Sequence, residues 1–349
     1  MRILHIDLGL GWRGGQRQSL TLHKSLEKLK YESLYVCQKS SKLESFVQEN
    51  KVNNVKTIKI SKKIFGFNSR EFEKIVDTWQ PDIIHCHDSP SVSLLKKKYL
   101  RKLTFHTRRV SYPINIFSRI FKYSNIKVHV GVSSEITNYM NNYFQNTHLI
   151  NSCIDISRFK NKKPLNPFDS SIKNILFVGA FTHQKGIKIL IDAFYLIHQN
   201  LDNVHLNLVG EGPLKHEMIN YVEELNLKEK VNFFSETNAI EGFFLNCDTL
   251  VMPSVDGEGS SGVIKEGIAA GAIVIASSLQ CNSEIIRHLD NGILFKSMDP
   301  ISLSKFISKV LKNEIKIPKQ QITNSAKKFE CSIMVQEYIH LYKKYFEAL

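Results

Sequence analysis

Apolar residues in the first half of the chain fall into short, nearly unbroken runs. Arg2–Asp7, Ser33–Cys37, Val55–Ile60 and Asp82–Cys86 have strand length, and Lys102–His106 and Lys127–Val132 extend the series. Runs without polar alternation fit strands buried on both faces. Between them the spacing turns helical. Gln16–Leu29 places Leu20, Leu22, Leu26 and Leu29 along one side, and Lys42–Asn50, Ser69–Trp79 and Ser134–Tyr143 follow as predicted helices. Gly9–Gly15 reads as a glycine-rich loop between the first strand and the first helix.

The alternation lapses from Asn151 to Ser171, a stretch with Lys160, Lys162, Lys163, Pro164 and Pro167 and no period. It then restarts. Predicted strands are Asn174–Val178, His205–Val209, Val231–Phe234, Thr249–Met252 and Ile273–Ala276. Predicted helices are Ile187–His198, Leu214–Leu225, Gly262–Ala270, Pro300–Leu311 and Ser332–Phe346. Strands alternating with helices predict an α/β protein of two Rossmann-like units. We expect domains at 1–160 and 161–330, with 331–349 a closing helix that crosses back to the first. Ligand is expected at the cleft between them, outside the carboxyl ends of the strands.

Composition narrows the class. The 349 residues are 42% apolar and 23% charged, which is ordinary globular usage. No apolar run reaches the roughly 20 residues of a spanning helix, and the start is too quickly polar for a signal peptide, so a cytoplasmic location is expected. The six cysteines are scattered without a C-x-x-C pair and read as reduced core residues. Charge is divided unevenly. Residues 1–165 hold 29 Lys and Arg against 12 Asp and Glu, whereas residues 166–349 hold 18 against 21. A basic first half predicts an anionic partner there, with a solubilising lysine-rich surface as the plainer explanation.

The richest segment is Asp256–Ala276, which follows the strand ending at Met252-Pro253-Ser254. It reads as strand, small-residue loop and helix start. The backbone N–H groups of Ser260, Ser261, Gly262 and Val263 would face outward at that helix N-terminus, a ready site for a diphosphate. Glu258 precedes the helix and Glu266 lies about one turn inside it; carboxylates there could accept from the hydroxyls of two polyols. Two glutamates eight apart are often solvated surface. Glu266, however, is set among apolar and small residues, Lys265 excepted, and a buried carboxylate needs a partner.

This pattern resembles the E-x7-E signature of retaining glycosyltransferases of family four, which have the GT-B fold. Further landmarks fall in the family's order: Gly14-Gly15, Pro81-Asp82-Ile83-Ile84-His85, Thr104-Phe105-His106, Val132-Ser133-Ser134, and Asn151 with Asp155 and Phe159. Phe177-Val178-Gly179, Gln184-Lys185-Gly186, Leu208-Val209-Gly210-Glu211-Gly212-Pro213 and Asn291-Gly292-Ile293-Leu294 continue the set. The resemblance implies that Glu258 contacts donor-sugar hydroxyls, Glu266 the ribose, and Ser260 to Val263 the donor through their backbone. Lys185 would neutralise the departing diphosphate, Gly14 and Gly15 would approach it, and His106 would stand near the sugar. Gly179, Gly210 and Gly212 would line the nucleotide site. Lys185 could instead be a surface lysine, His106 a satisfied strand-end histidine, and Gly14-Gly15 an ordinary turn.

One position departs from the pattern. Where many members carry an arginine after the glycine that ends the first strand of the second domain, this chain has Ala180. Loss of one charge-stabilising donor would cost about 2–4 kcal/mol of leaving-group stabilisation unless Arg13, Arg17 or His183 compensates. The resemblance further implies retention of configuration with no metal and no other cofactor, the nucleotide-sugar being a substrate. The acceptor would be a glycan or a lipid-linked molecule, in lipopolysaccharide or other surface-glycan synthesis. Leu94–Leu103 and Ile114–Tyr123 mix cations with apolar residues, which suits the anionic inner face of a membrane, or equally helices packed on their own sheet. Arg108 and Arg109 could grip an acceptor phosphate or pair with Glu135 or Asp88. A sugar-nucleotide epimerase of the same fold and a catalytically weakened homologue are the alternatives. A nucleic-acid binder finds no recognisable module, and a nicotinamide enzyme finds no G-x-G-x-x-G directly before its helix.

Overall fold

Four consecutive apolar residues with no solvent exposure on either side need helices on both faces, and both halves of the chain meet that need in the same way. A computed structural model describes residues 1–63, 66–160, 166–169, 171–237, 239–256 and 259–348. The chain divides into two compact units, Met1–Cys153 with Cys331–Leu349, and Ile154–Glu330.

The first unit is built on seven parallel strands: β1 (Arg2–Asp7), β2 (Glu32–Gln38), β3 (Val55–Ile58), β6 (Ile83–Cys86), β7 (Leu103–Arg108), β8 (Val128–Gly131) and β9 (Thr147–Leu149). Their order is β3-β2-β1-β6-β7-β8-β9. A small antiparallel pair, β4 (Ser61–Lys63) with β5 (Gly66–Asn68), lies outside this sheet. Serine caps start three of the covering helices, with Ser41, Ser69 and Ser133 accepting a first-turn N–H. The last helix, Cys331–Phe346, packs Met334, Val335, Tyr338 and Tyr342 against Ile3, Ile83, Leu103 and Phe105 of this first unit. The expected return of the chain is therefore present.

The second unit carries β10 (Lys173–Val178), β11 (Val204–Val209), β12 (Val231–Phe234), β13 (Thr249–Met252), β14 (Ile273–Ser277) and β15 (Ile293–Phe295). All are parallel, in the order β12-β11-β10-β13-β14-β15. Strand order reverses between β1 and β6 in one sheet and between β10 and β13 in the other. Those are the switch points where an open α/β sheet leaves a crevice at its carboxyl edge.

Two local expectations change. The first helix begins at Gly14, two residues earlier than the apolar spacing predicts, because Gln16 folds back and accepts the Arg13 N–H at 3.0 Å. Gly14 and Gly15 are thus first-turn residues rather than loop. Within the aperiodic stretch after Asn151, Ile156–Phe159 forms a 3-10 turn whose Ile156 and Phe159 are buried in the second unit's core.

Candidate functional site

In the second unit three loops meet at the carboxyl ends of β10, β11 and β13. The Gly179 N–H donates to the Val209 carbonyl at 3.0 Å, and the Phe181 N–H to that of Glu211 at 2.9 Å. Gly210 (φ 146°) and Gly212 (φ 157°) make this contact possible. A Cβ on Gly210 would lie 2.0 Å from the Gly179 oxygen, and one on Gly212 would lie 2.6 Å from the Phe181 nitrogen. Both glycines are required by the packing of their own loops. The turn His183–Lys185 is tied to the β13 loop, where the Val255 N–H donates to the Gln184 carbonyl at 2.9 Å. Lys185 is half-buried, and its Cδ lies 3.9 Å from where a Gly179 side chain would begin. Ala180 is exposed beside it.

Helix Gly262–Ala270 starts at the same edge. Ser261 caps it by accepting the Ile264 N–H at 3.4 Å. The Gly262 and Val263 N–H groups precede the first intrahelical acceptor, as the anion-site reading requires. Glu258 and its neighbour Gly257 lie outside the described residues. Lys265, the one cation in an apolar face, is fully buried. Its ammonium donates to the Ser260 hydroxyl at 2.7 Å and lies 4.5 Å above the Phe329 ring. Ser260 is thereby fixed from beneath the helix start.

Glu266 has the partner its surroundings demand. Arg158, on the 3-10 turn, donates from Nη1 to Glu266 Oε1 at 2.8 Å and from Nε to Glu241 Oε1 at 2.9 Å. One guanidinium joins two carboxylates on two helices. Burial works against the Arg158 charge, but Glu266 and Glu241 outweigh it and raise the pKa. Sequence reasoning missed Arg158. The signal for a partner was there, since a lone carboxylate sat in an apolar helix, but nothing local named a residue 108 positions upstream.

The first unit gathers a different chemistry at its switch point. Asp7 accepts from Ser19 Oγ at 2.8 Å and Gln16 Nε2 at 3.2 Å. Asp88 accepts the Leu8 N–H and the Ser91 N–H, each at 2.8 Å. Burial, then the nearby Asp7 charge, pushes Asp88 up to about 6. Arg109 reaches back to His87, donating from Nη1 to its carbonyl at 2.7 Å and from Nη2 to Nδ1 at 3.0 Å. A guanidinium only donates, so His87 Nδ1 accepts and its Nε2–H donates to His5 Nδ1 at 3.0 Å. His5 then carries its proton on Nε2, which is buried with no partner among the described residues. His85 bonds the Tyr342 hydroxyl at 2.6 Å and Thr107 Oγ1 at 2.8 Å.

Nitrogens of His5, His85 and His87 lie within 4.8 Å of one another, close enough to hold a metal ion, and hydrogen bonds engage every one of their ring nitrogens except His5 Nε2. Burial holds all three well below the usual histidine range. Arg108 turns inward, donating to the Tyr112 carbonyl between the Tyr112 and Tyr139 rings.

His106 is 2% exposed and packs beside Tyr123 and edge-on to His129. Burial lowers its pKa strongly, with the His129 and Arg108 charges adding to the effect. Its ring is thus enclosed by its own unit. Gly14 and Gly15 are more open. Among the described residues, beyond the helix's own backbone and the chain neighbours, no atom lies within 4 Å of a Cβ built on Gly14, and Arg109 Cδ, at 3.4 Å, approaches one on Gly15.

Two open α/β units, the second with a capped helix start and a glutamate clamped by Arg158, define a protein of the two-Rossmann-domain class. The description "Glycosyl transferases group 1" matches residues 158–329, and "Glycosyltransferase Family 4" matches residues 12–158. The chain belongs to this glycosyltransferase family and has the GT-B fold. It is 32% identical over 178 residues to an uncharacterized glycosyltransferase of Methanocaldococcus jannaschii, covering 49% of this chain and 45% of that one. It is 22% identical to the phosphatidyl-myo-inositol mannosyltransferase of Mycobacterium leprae, covering 75% and 73%. Its fold matches that of HepE from Anabaena in complex with UDP with a TM-score of 0.81, at 17% identity over 99% of this chain and 100% of that one. The match spans less than half the length of the M. jannaschii relative.

Proposed function

We propose that the protein transfers a sugar from a nucleoside-diphosphate sugar to a glycan or lipid-linked acceptor, with retention of anomeric configuration and without a metal. The observation that carries this is the second unit's carboxyl edge. Lys185, the helix start at Ser260–Val263 and the clamped Glu266 all belong to loops and a helix rising from neighbouring strands. A diphosphate at the helix start would meet backbone N–H groups, the positive end of the helix dipole and the Lys185 ammonium. Glu266, oriented by Arg158, would accept from ribose hydroxyls. Glu258, which lies outside the described residues, would contact donor-sugar hydroxyls, as the resemblance implies. UDP in HepE and the mannosyltransferase relative support a nucleotide-sugar donor.

The reaction follows from electrostatics. As the glycosidic oxygen of the diphosphate departs, charge builds on it, and Lys185 with the helix start stabilises that charge. The same oxygen takes the acceptor proton as the acceptor oxygen bonds to the sugar carbon from the same face. His106, enclosed behind the first unit's surface, would shape the wall rather than move a proton. The test is transfer from UDP-, GDP- and ADP-sugars to a lipid extract, with the product anomer read by NMR and the assay repeated in EDTA. Retention and unchanged turnover are expected. Inversion would contradict the retaining mechanism, and activity lost to EDTA and restored by Mn²⁺ would contradict the metal-free one.

The acceptor side is proposed to lie against an anionic membrane surface, in surface-glycan synthesis. Helix Ile116–Phe121 buries none of its residues, and Phe117 and Phe121 are each 73% exposed. Arg119 lies 4.0 Å over the Tyr143 ring beside it. The basic first half supplies the complementary charge. The other stretch, Leu94–Leu103, is occupied locally: Leu94, Tyr99 and Leu103 are buried, Lys96 pairs with Glu73, and Lys98 pairs with Asp77 at 3.2 Å. No helix among the described residues is long and apolar enough to cross a membrane.

A further inference from the structure

The chain passes between its two units twice, after residue 153 and after residue 330. A cysteine stands on the first unit's side of each crossing. Cys153 and Cys331 have their sulfurs 2.6 Å apart, about 0.5 Å beyond a covalent S–S bond. The approach is set by backbone rather than by a chance of rotamer. Gln18 clamps residue 153, accepting its N–H at 2.8 Å and donating to its carbonyl at 2.6 Å. The next residue, Ile154, donates to the Phe329 carbonyl at 2.8 Å and bridges Glu330 in parallel. The two crossing segments are therefore registered side by side, and the cysteines follow from that register.

We propose that Cys153 and Cys331 form a reversible disulfide that fastens the C-terminal helix to the first unit. A hydroperoxide is the oxidant. The half-exposed Cys331 thiolate attacks a peroxide oxygen first and breaks the O–O bond, which with hydrogen peroxide gives a sulfenic acid and one water. The Cys153 sulfur then displaces the hydroxyl from Cys331 sulfur, releasing a second water and closing the S–S bond. Three of the other thiols are poorly suited: burial pushes Cys37 and Cys247 up to about 12 and raises Cys86 as well.

The bond changes something specific. Helix Cys331–Phe346 belongs to the first unit's core, yet its only covalent route there runs through all of Ile154–Glu330. It also holds Tyr342 on His85 and Tyr338 on Thr107. Reduced, the helix is held by packing and hydrogen bonds, with no direct covalent tie. Oxidised, its first residue is tied to the unit directly, and closing so long a loop constrains the unfolded chain strongly.

The test uses the full-length protein, treated with hydrogen peroxide, digested without reduction and mapped by mass spectrometry. The expected product joins the Cys153 and Cys331 peptides, is about 2 Da lighter than their sum, and reverts with dithiothreitol. Its thermal midpoint should rise by roughly 5 °C over the reduced form. Cys331→Ser and Cys153→Ser should each melt like the reduced protein and show no rise with peroxide. Conversion of Cys331 to a sulfinic acid without a cross-link, a cross-link between other cysteines, or an equal rise in Cys331→Ser would overturn the proposal. Should one variant fold poorly, the peptide map and the other variant still decide.

Discussion

Arg158 is the residue on which the donor side turns, because it neutralises two carboxylates that would otherwise repel each other in a part-buried place. Arg158→Ala should cost about 3 kcal/mol in urea unfolding, the lower end for a buried pair because the guanidinium is partly exposed. Arg158→Lys should recover less than half, since an ammonium cannot fork to both partners. Losses under 0.5 kcal/mol in both variants would mean that the pair is incidental. At this scale the sequence told half the story. Glu266 in an apolar helix announced a need for a cation, but the cation came from a stretch with no period. Lys265 looked like the exception on that helix face and is in fact its most enclosed polar residue, tied to Ser260.

Among the elements, the legible ones were strands of four or more apolar residues and helices with caps. Val231–Phe234, Thr249–Met252, Gly262–Ala270 and Pro300–Leu311 coincide with their predicted bounds. The edge strands Thr147–Leu149 and Ile293–Phe295 were not legible, since three residues carry no period. Helix Lys319–Ala326 escaped because it buries only Ile322 and Ala326. The two basic apolar stretches could not be told apart by composition. What separates them is tertiary: helix Arg70–Trp79 offers Glu73 and Asp77 to one, whereas the other, Ile116–Phe121, buries none of its residues. Flotation with liposomes containing anionic lipid should therefore depend on that helix. Phe117→Ser with Phe121→Ser should abolish flotation at low salt, and replacing Lys96 and Lys98 by Gln should change it little. The opposite ranking would move the membrane face to the lysine stretch.

Taken whole, the molecule has one unit rich in buried neutral histidine and one that is not. His5, His85, His87, His106 and His129 all lie in the first unit, with burial the largest cause of each depressed pKa and His129 at about 4. A depressed folded pKa means the unfolded chain binds protons first as pH falls. Stability from these groups is present above about 6.5 and is lost as pH drops toward their folded values. Each can remove up to about 1.4 kcal/mol per pH unit. Asp88, raised to about 6, acts the other way between about 4 and 6. Thermal unfolding followed from pH 7.5 to 5 should thus show a steep fall in midpoint, and a flat profile would mean that these histidines are not held neutral.

The central claim is that the second unit binds a nucleotide diphosphate at the helix start beside Lys185. Calorimetric titration of UDP, GDP and ADP into the protein and into Lys185→Ala tests it most directly. The expected result is saturable binding of at least one nucleotide, weakened at least tenfold in the variant, about 1.4 kcal/mol, with the variant's unfolding midpoint unchanged. Equal affinity in both proteins, or no binding of any of the three, would contradict it.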